Sequence, residues 1–382
     1  MLLVPKRELM AFGASIVAFR FALALWLTLL PLYLDARGLS PEEAGFAFSL
    51  VTAMAFLTAL PAGVLIDVAS WGIVAACGSL LFILLTILSE YIESFAAAIA
   101  LTSLAGLCVA IYNQSTASVV SQQVSLSRRG RAFSAVFWAT HASNVAGAAV
   151  AGLLVASLGY SAINHLSSAV FALSAALALL GASRGRRRRG VLSVRAIRSK
   201  KLWLLNAALV LHDSGVYMVV PFTALFLKYY VGISDPEYAF LVSARSAALF
   251  AAQLPVGLLI DRVGAVPPLL AHVLGFSACA GLLLRSQHLL DAIIAFIAWG
   301  LVITLDTPAR RYLLTRLAPS GLEASISGLS DTIVGLATLL SAYAGSRLWT
   351  WLGGWGPIAV GAAVNLLALV PLALLAKTTR EL

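Results

Sequence analysis

Ionisable side chains lie inside long apolar stretches of the sequence. Arg20 is near the middle of the first stretch, and Arg245 lies in the eighth. Asp213 follows His212 near the middle of the seventh. Within a membrane, a charge at this depth costs about 2.5–3.5 kcal/mol. A carboxylate beside an imidazole can exchange protons near neutral pH, and a buried arginine can bind an anion or a carboxylate. Proton exchange and anion binding are therefore the chemistry that these residues predict.

Purely structural roles are the alternative interpretation of the same residues. A buried arginine and aspartate can form a permanent salt bridge that only neutralises two charges, although apolar packing could replace such a bridge at little cost. Arg245 could extend its side chain towards the membrane surface, although it lies deep for such a reach. Function is the favoured interpretation for Arg20, Asp213 and Arg245.

Further polar side chains occur inside other apolar stretches. Gln114 lies in the fourth stretch, and Asp306 lies at nearly the equivalent place in the tenth, 192 residues later. His141 and Asn144 share one face of the fifth stretch, if it is helical. These residues could line an aqueous path or simply form hydrogen bonds between helices. His141 is either a proton carrier or a packing residue.

The elements that must position these residues are membrane-spanning helices. Hydrophobic residues make up 61% of the chain and charged residues only 11%, which leaves too little polar surface for a water-soluble globule. A span needs roughly 20 apolar residues. The sequence contains twelve such stretches, at 9–34, 42–66, 71–89, 95–122, 131–157, 161–181, 202–228, 237–260, 265–284, 289–314, 322–348 and 355–376.

An internal repeat divides these stretches into two halves. Residues 60–67 and 254–261 are identical at six of eight positions and lie 194 residues apart in a chain of 382. A repeat of about half the chain length indicates two homologous halves. We therefore predict an all-α integral membrane protein with twelve transmembrane helices in two pseudo-symmetric six-helix bundles. The expected domains are residues 1–181 and 202–382, joined by a basic cytoplasmic linker at 182–201.

Both copies of the repeat end in Gly-x-x-x-Asp, and the second copy continues into a longer motif. It runs from Gly257 through Asp261 and Arg262 to Gly264, and resembles the loop signature between helices 8 and 9 of the major facilitator superfamily. The first copy, from Gly63 to Asp67, resembles the corresponding signature between helices 2 and 3. The first copy has Val68 where the family usually has a basic residue, and neither copy has the basic pair that normally follows the last glycine. The motif residues are expected to act in gating.

The resemblance implies a mechanism as well as a fold. Helices 1 and 7 of this family face each other across a central cavity, so Arg20 and Asp213 are expected to form an ion pair across it. Access to a site near the membrane midplane would alternate by rocking of the two halves. The expected function is secondary active transport of a small organic solute, with protons as the coupling ion.

The direction of transport and the substrate class are left with two alternatives. Efflux of amphiphilic compounds is slightly favoured over uptake or exchange of a small organic or inorganic anion, which Arg20 and Arg245 would bind. Exporters of the family often carry a Gly-Pro-x-x-Gly-Gly signature on helix 5, and the segment from Gly147 to Gly152 lacks it. A non-transporting membrane receptor or a membrane-embedded enzyme is a less favoured interpretation.

Several other partners and cofactors are not expected. The sequence contains no Gly-Lys dipeptide, which excludes a phosphate-binding loop of the usual type. The five histidines show no metal-ligand spacing, and the three cysteines lie within predicted spans. The run of arginines from Arg184 is interpreted as contacting anionic lipid, not nucleic acid. We therefore expect no enzyme activity, no cofactor and no metal, and a monomer in the lipid bilayer.

The distribution of basic residues predicts the orientation in the cell membrane. With a cytoplasmic N-terminus, 20 basic residues, Arg310 among them, fall on the inner side and four on the outer side. Such a bias favours a multi-pass protein with both termini in the cytoplasm. A cysteine introduced at Gly190 should therefore resist an impermeant thiol reagent added outside intact cells, because nine basic residues place this linker inside. Labelling from outside would reverse the predicted topology.

Overall fold

A computed structural model describes residues 6–123, 129–181, 199–318 and 323–378. These residues form α-helices joined by short connections, with a 3-10 turn at Ser89–Tyr91 and a π-helical turn at Leu227–Val231. The helices are α1 (Lys6–Thr28), α2 (Leu30–Ala36), α3 (Pro41–Leu57), α4 (Ala59–Val68), α5 (Trp71–Leu88), α6 (Phe95–Gln123), α7 (Arg129–Leu158), α8 (Tyr160–Leu180), α9 (Lys200–Phe226), α10 (Asp235–Val263), α11 (Val266–Leu284), α12 (Leu289–Ile303), α13 (Asp306–Leu317), α14 (Glu323–Leu352), α15 (Trp355–Leu367) and α16 (Leu369–Thr378).

Within the described residues, ten helical stretches are long and apolar enough to cross a membrane. The number becomes eleven if α3 and α4, which are bent by 48° relative to each other, count as one span. The 29-residue α10 corresponds to the remaining predicted helix but is not among these spans. The all-helical, multi-pass character is thus confirmed. The count of twelve and the arrangement in two six-helix bundles stay predictions.

Proline explains why four of the spans are broken into two helices each. Proline has no N–H and its ring clashes with the carbonyl four residues earlier, so a helix tends to break just before it. Pro61 follows the break between α3 and α4, and Pro308 follows the break between α12 and α13. Pro31 and Pro371 stand in the same relation to the breaks after α1 and α15. The break at Pro308 creates a new helix start inside a span.

The chain forms two compact units. Unit 1 contains residues 1–39, 50–189 and 235–243, and unit 2 contains residues 40–49, 190–234 and 244–382. The first residues of α3 and of α10 therefore group apart from the rest of their own helices. The domain boundaries drawn from the sequence stay predictions, and most of the linker at 182–201 lies outside the described residues.

The core of unit 1 is a stack of aromatic rings around α1. Phe19 of α1 stacks on Tyr112 of α6 with ring centres 3.7 Å apart, and Phe171 of α8 meets Phe19 edge-on at 5.4 Å. The buried Tyr112 hydroxyl also lies 2.8 Å from the hydroxyl of Ser174. Because Tyr112 directly precedes Asn113, this packing fixes the part of α6 that meets Arg20.

Unit 2 is organised around α9, which packs against α14, α15 and α16. A close approach occurs at Gly215, where a Cβ atom would clash with the carbonyl oxygen of Gly361 and lie 2.6 Å from the Cβ of Asn365, both on α15. A residue without a side chain is needed for this contact. His212 lies one turn before Gly215, so the close approach also holds Asn365 against His212.

Candidate functional site

The principal candidate site is a buried group of charged side chains in unit 2. Arg310 donates from Nη1 to Asp213 Oδ2 at 2.8 Å and from Nη2 to Asp213 Oδ1 at 2.9 Å. Its Nε also donates to Asp306 Oδ1 at 3.2 Å. The side chains of Arg310, Asp213 and Asp306 are only 12%, 7% and 14% exposed. One guanidinium therefore holds two carboxylates, and the bidentate bond to Asp213 is the stronger geometry.

Local sequence explains how Asp306 and Arg310 come to share this site. The break before Pro308 makes Asp306 the first residue of α13. A carboxylate at this end of a helix faces the positive pole of the helix dipole. Arg310 follows one turn later on the same face, which is the spacing of an i, i+4 ion pair. Asp213 then reaches the same guanidinium from α9.

A histidine pair lies beside these charges. His212 of α9 and His272 of α11 have their Nε2 atoms 3.2 Å apart, and their rings meet edge to face at 4.7 Å. The Nδ1 of His212 lies 2.6 Å from Asn365 Oδ1, and the Nδ1 of His272 lies 2.9 Å from the carbonyl of Val302. Both rings are buried. His212 Nε2 is also 3.9 Å from Asp213 Oδ1, so the pair and the charges form one cluster.

A small cavity of about 10 Å³ adjoins the histidine pair and has room for about one water molecule. His212, His272 and Asp306 line it together with apolar side chains. One ring nitrogen of each histidine and one carboxylate oxygen of Asp306 lie within 4.8 Å of one another, although the spacing of the histidines along the sequence gives no sign of this grouping. A group of this composition can take a cation, either a proton or a metal ion.

The structure gives Asp213 a different partner from the one expected. The expected ion pair joined Asp213 to Arg20, whereas both Asp213 oxygens are occupied by Arg310. Arg20 instead donates from Nη2 to the side-chain oxygen of Asn113, which is within unit 1. Arg310 can reach Asp213 because the proline-broken span keeps it buried, whereas its position near the end of a predicted span suggests a cytoplasmic cation.

Arg20 lies in a polar part of unit 1 that also contains His141. Its Nε is buried without a hydrogen-bond partner among the described residues. His141 is within electrostatic reach of Arg20, and its Nδ1 is likewise buried without a described partner. Gln114 and Asn144 are half-buried. Arg20 is thus a cation whose described partner is a neutral amide.

Arg245 lies in unit 2 over aromatic rings. Its guanidinium carbon is 5.0 Å from the ring centre of Trp299 and 5.9 Å from that of Phe296. Cation–π contact of this kind stabilises a half-buried arginine. The contact gives Arg245 a packing role in addition to the predicted role in solute binding.

The repeated motif is described only in part. Gly264 ends α10 with a φ of 77°, a conformation that favours glycine. Arg262 is exposed, and a Cβ at Gly257 would meet open space. A Cβ at Gly63 would lie 4.0 Å from Gln114 Oε1. The side chains of Asp67 and Asp261 lie outside the described part of the chain, so the gating role of the motif stays a prediction.

Three members of the unit 2 cluster, Arg310, His272 and Asn365, are not predicted from the sequence. The sequence does contain a signal for Arg310: Asp306 and Arg310 are four residues apart, on either side of a proline, in an apolar stretch. This spacing indicates an ion pair within a span. His272 and Asn365 had no such signal, because each is a single polar residue in an apolar helix. Only the packing of α15 against α9, and of α11 against α15 and α13, brings them to His212.

Comparison with known proteins identifies the family and the fold. A sequence profile of the Major Facilitator Superfamily matches the chain at residues 10–211 and again at 205–381. A crystal structure of the peptide transporter POT in complex with sulfate has a TM-score of 0.78 at 14% identity, over 99% of this chain and 95% of that one. A mutant form of POT with sulfate has a TM-score of 0.78 at 16% identity, over 98% and 95%. No curated protein sequence matches the chain.

Proposed function

The chain belongs to the major facilitator superfamily of transporters, and we propose that it moves a small organic solute by proton-coupled alternating access. The observation that carries this proposal is the ion pair between Arg310 and Asp213 inside two spans. A buried pair contributes little net stability compared with apolar packing. A pair that opens and closes during transport, in contrast, changes the charge of the buried cluster and so links proton binding there to the state of the carrier.

The solute class follows from Arg20. Among the described residues it has a neutral hydrogen-bond partner and a buried Nε without one. An arginine placed in this way is suited to binding a carboxylate, sulfate or phosphate group. We therefore favour a solute with an anionic group, with Asn113, His141 and Asn144 as further polar contacts. Efflux of amphiphilic compounds stays a prediction. The thermal-unfolding test described below would favour it over an anionic solute if acids and amides had equal effects.

Peptides belong to the favoured solute class because they end in a carboxylate. The two similar crystal structures are of a peptide transporter in complex with sulfate. At 14–16% identity this likeness shows the fold alone, but it makes short peptides and sulfate reasonable probes. Localisation in the cell membrane with both termini in the cytoplasm is part of the same proposal.

Thermal unfolding of the purified protein tests the solute class directly. A ligand that binds only the folded state at 100 times its Kd stabilises it by about 2.7 kcal/mol. The probes are dipeptides, the same dipeptides as C-terminal amides, and sulfate. Free carboxylates should raise the unfolding temperature and the amides should not. Equal effects of acids and amides would contradict an anionic solute, and uptake into proteoliposomes would then be screened with neutral amphiphiles.

The repeated motif is proposed to hold the cytoplasmic ends closed in one state of the cycle. An aspartate at the C-terminal end of a helix is placed unfavourably relative to the helix dipole, so it needs a partner that can be released. Asp67→Asn should therefore raise the rate of cysteine labelling from the cytoplasmic side without loss of folded protein. Asp261→Asn is the matched change in the second copy. Unchanged labelling on both faces would contradict the gating role.

A further inference from the structure

We propose that His212 and His272 hold one proton between their Nε2 atoms, and that this histidine pair is the proton-binding site of the carrier. The inference rests on the proposed function for its role in transport. The presence of the proton, however, follows from hydrogen-bond geometry and is tested without any solute.

The hydrogen atoms of His272 are fixed by a backbone carbonyl. Its Nδ1 lies 2.9 Å from the carbonyl oxygen of Val302, which can only accept a hydrogen bond. The hydrogen must therefore be on Nδ1. A neutral imidazole carries only one hydrogen on nitrogen, so the Nε2 of a neutral His272 has a bare lone pair.

The hydrogen atoms of His212 are fixed through Asn365. The amide nitrogen of Asn365 donates to the carbonyl of Val273 at 2.7 Å and to the hydroxyl of Ser277 at 2.7 Å. The amide orientation follows from this network, because Val273 offers only an acceptor. The Asn365 oxygen therefore faces His212 Nδ1 at 2.6 Å, and Nδ1 must donate. A neutral His212 would also have a bare Nε2.

The two bare nitrogens face each other across 3.2 Å. With both rings neutral, two lone pairs would be held in contact inside a buried site. One added proton converts this repulsion into an N–H···N hydrogen bond of ordinary length. Neither ring can avoid the conflict by moving its hydrogen to Nε2, because its Nδ1 would then face an acceptor without a hydrogen.

The charges around the pair favour one proton. From α9 the neighbouring titratable groups are Asp213 and Tyr217, and from α13 they are Asp306 and Arg310. From α15 the neighbouring polar side chain is the uncharged Asn365. Two carboxylates and one guanidinium give a charge of −1. One proton on the histidine pair makes the buried cluster neutral, whereas a divalent metal ion would leave it at +1.

The cavity beside the pair gives the proton a way to arrive and leave. It is lined by His212, His272 and Asp306 and has a volume of about 10 Å³, so it can hold one water molecule. A hydronium ion there would give its proton to an Nε2 lone pair and become water, and the reverse step would release it. The Nδ1 hydrogens take no part in either step.

Nitrogen NMR of the ¹⁵N-histidine-labelled protein in lipid nanodiscs tests the proposal at neutral pH. The chain has five histidines, and single His→Gln variants assign their resonances. The pair should show three protonated ring nitrogens among its four, with an Nε2–H shared between the rings. Two protonated nitrogens would overturn the proposal. This outcome would leave the proposed transport untouched, because no solute enters the experiment.

His272→Gln is the variant that tests the shared proton most directly. The glutamine amide can donate an N–H to His212 Nε2 without an added proton, so His212 should become neutral with hydrogen on Nδ1 only. His165→Gln makes the same exchange at a side chain that is 71% exposed and should leave the pair unchanged. An imidazolium at His212 in the His272→Gln protein would contradict the proposal.

A metal ion between the rings is the other outcome to be measured. Elemental analysis of the purified protein and treatment with a chelator distinguish the two cases. One transition-metal ion per chain, with ring resonances that shift when it is removed, would overturn the proposal in favour of a metal site. Resonances that a chelator leaves unchanged support a proton.

Discussion

Asp213→Asn is expected to abolish solute accumulation driven by a pH gradient while exchange between equal pools continues near the wild-type rate. The variant keeps the shape of the side chain but removes one of the two carboxylates that Arg310 holds. Arg310 retains Asp306 at 3.2 Å, so the buried guanidinium is still paired and the fold should survive. The remaining cluster is neutral without a proton on the histidine pair, so the charge that favours the proton is lost.

The measurement is uptake into proteoliposomes with and without an imposed pH gradient. A gradient of one pH unit can support about tenfold accumulation when one proton moves with each solute molecule. The wild type should approach that ratio, whereas Asp213→Asn should stay near equal concentrations inside and outside. Exchange of labelled for unlabelled solute, measured in the same vesicles, shows whether the variant still binds and moves its substrate.

Asp331→Asn is the matched control for this experiment. Asp331 is also a carboxylate paired with an arginine in unit 2, since Arg311 lies 3.4 Å from it. That arginine is 48% exposed, whereas Arg310 is 12% exposed, so the control pair is closer to solvent. Asp331→Asn should accumulate solute as the wild type does. If Asp213→Asn does so as well, the pair of Arg310 and Asp213 is structural and the proposed coupling is wrong.

Arg310 itself is a less informative position for the same test. Its removal would leave Asp213 and Asp306 facing each other in a buried site without a cation. Breaking a buried pair by removing one partner typically costs about 3–5 kcal/mol, because a buried charge is left uncompensated. Loss of transport in such a variant would therefore not separate coupling from folding.

The sequence predicted the family architecture because two of its signals are local. The repeated Gly-x-x-x-Asp segments and the apolar stretches can be read without knowing which helices touch. Asp213 could also be singled out, because a carboxylate inside an apolar stretch is costly wherever it packs. The same reasoning identified Arg20, Arg245 and His212 as buried polar residues.

The partners of these residues could not be read in the same way. Arg310 was counted with the cytoplasmic cations because it lies near the end of its predicted span. The helix break before Pro308 is what begins α13 at Asp306 and places Arg310 one turn later. His272 and Asn365 depend on helix contacts such as the close approach at Gly215, which composition does not reveal. Partner choice is therefore a tertiary property, even when the need for a partner is visible in the sequence.

Arg20→Gln is expected to weaken binding of anionic solutes by about 10- to 150-fold. Hydrogen bonds to charged groups contribute about 1.5–3 kcal/mol each, and the guanidinium of Arg20 is the cation that unit 1 offers beside Asn113 and His141. Glutamine keeps an N–H donor towards Asn113 but removes the charge. The affinity of Arg20→Lys for anionic solutes should fall between those of the wild type and Arg20→Gln. An ammonium keeps the charge but loses the planar fork that matches a carboxylate.

Equilibrium binding of a radiolabelled dipeptide to purified protein measures this effect, with the C-terminal amide of the same dipeptide as the second probe. The wild type should prefer the free carboxylate, and Arg20→Gln should bind acid and amide with similar affinity. Asn113→Ala is the comparison variant: it removes a proposed neutral contact but leaves the cation, so it should keep the preference for the free carboxylate even where the affinity for both probes falls. A preference for the carboxylate that persists in Arg20→Gln would exclude Arg20 as the anion-binding residue, and Arg245 would then be the next cation to replace.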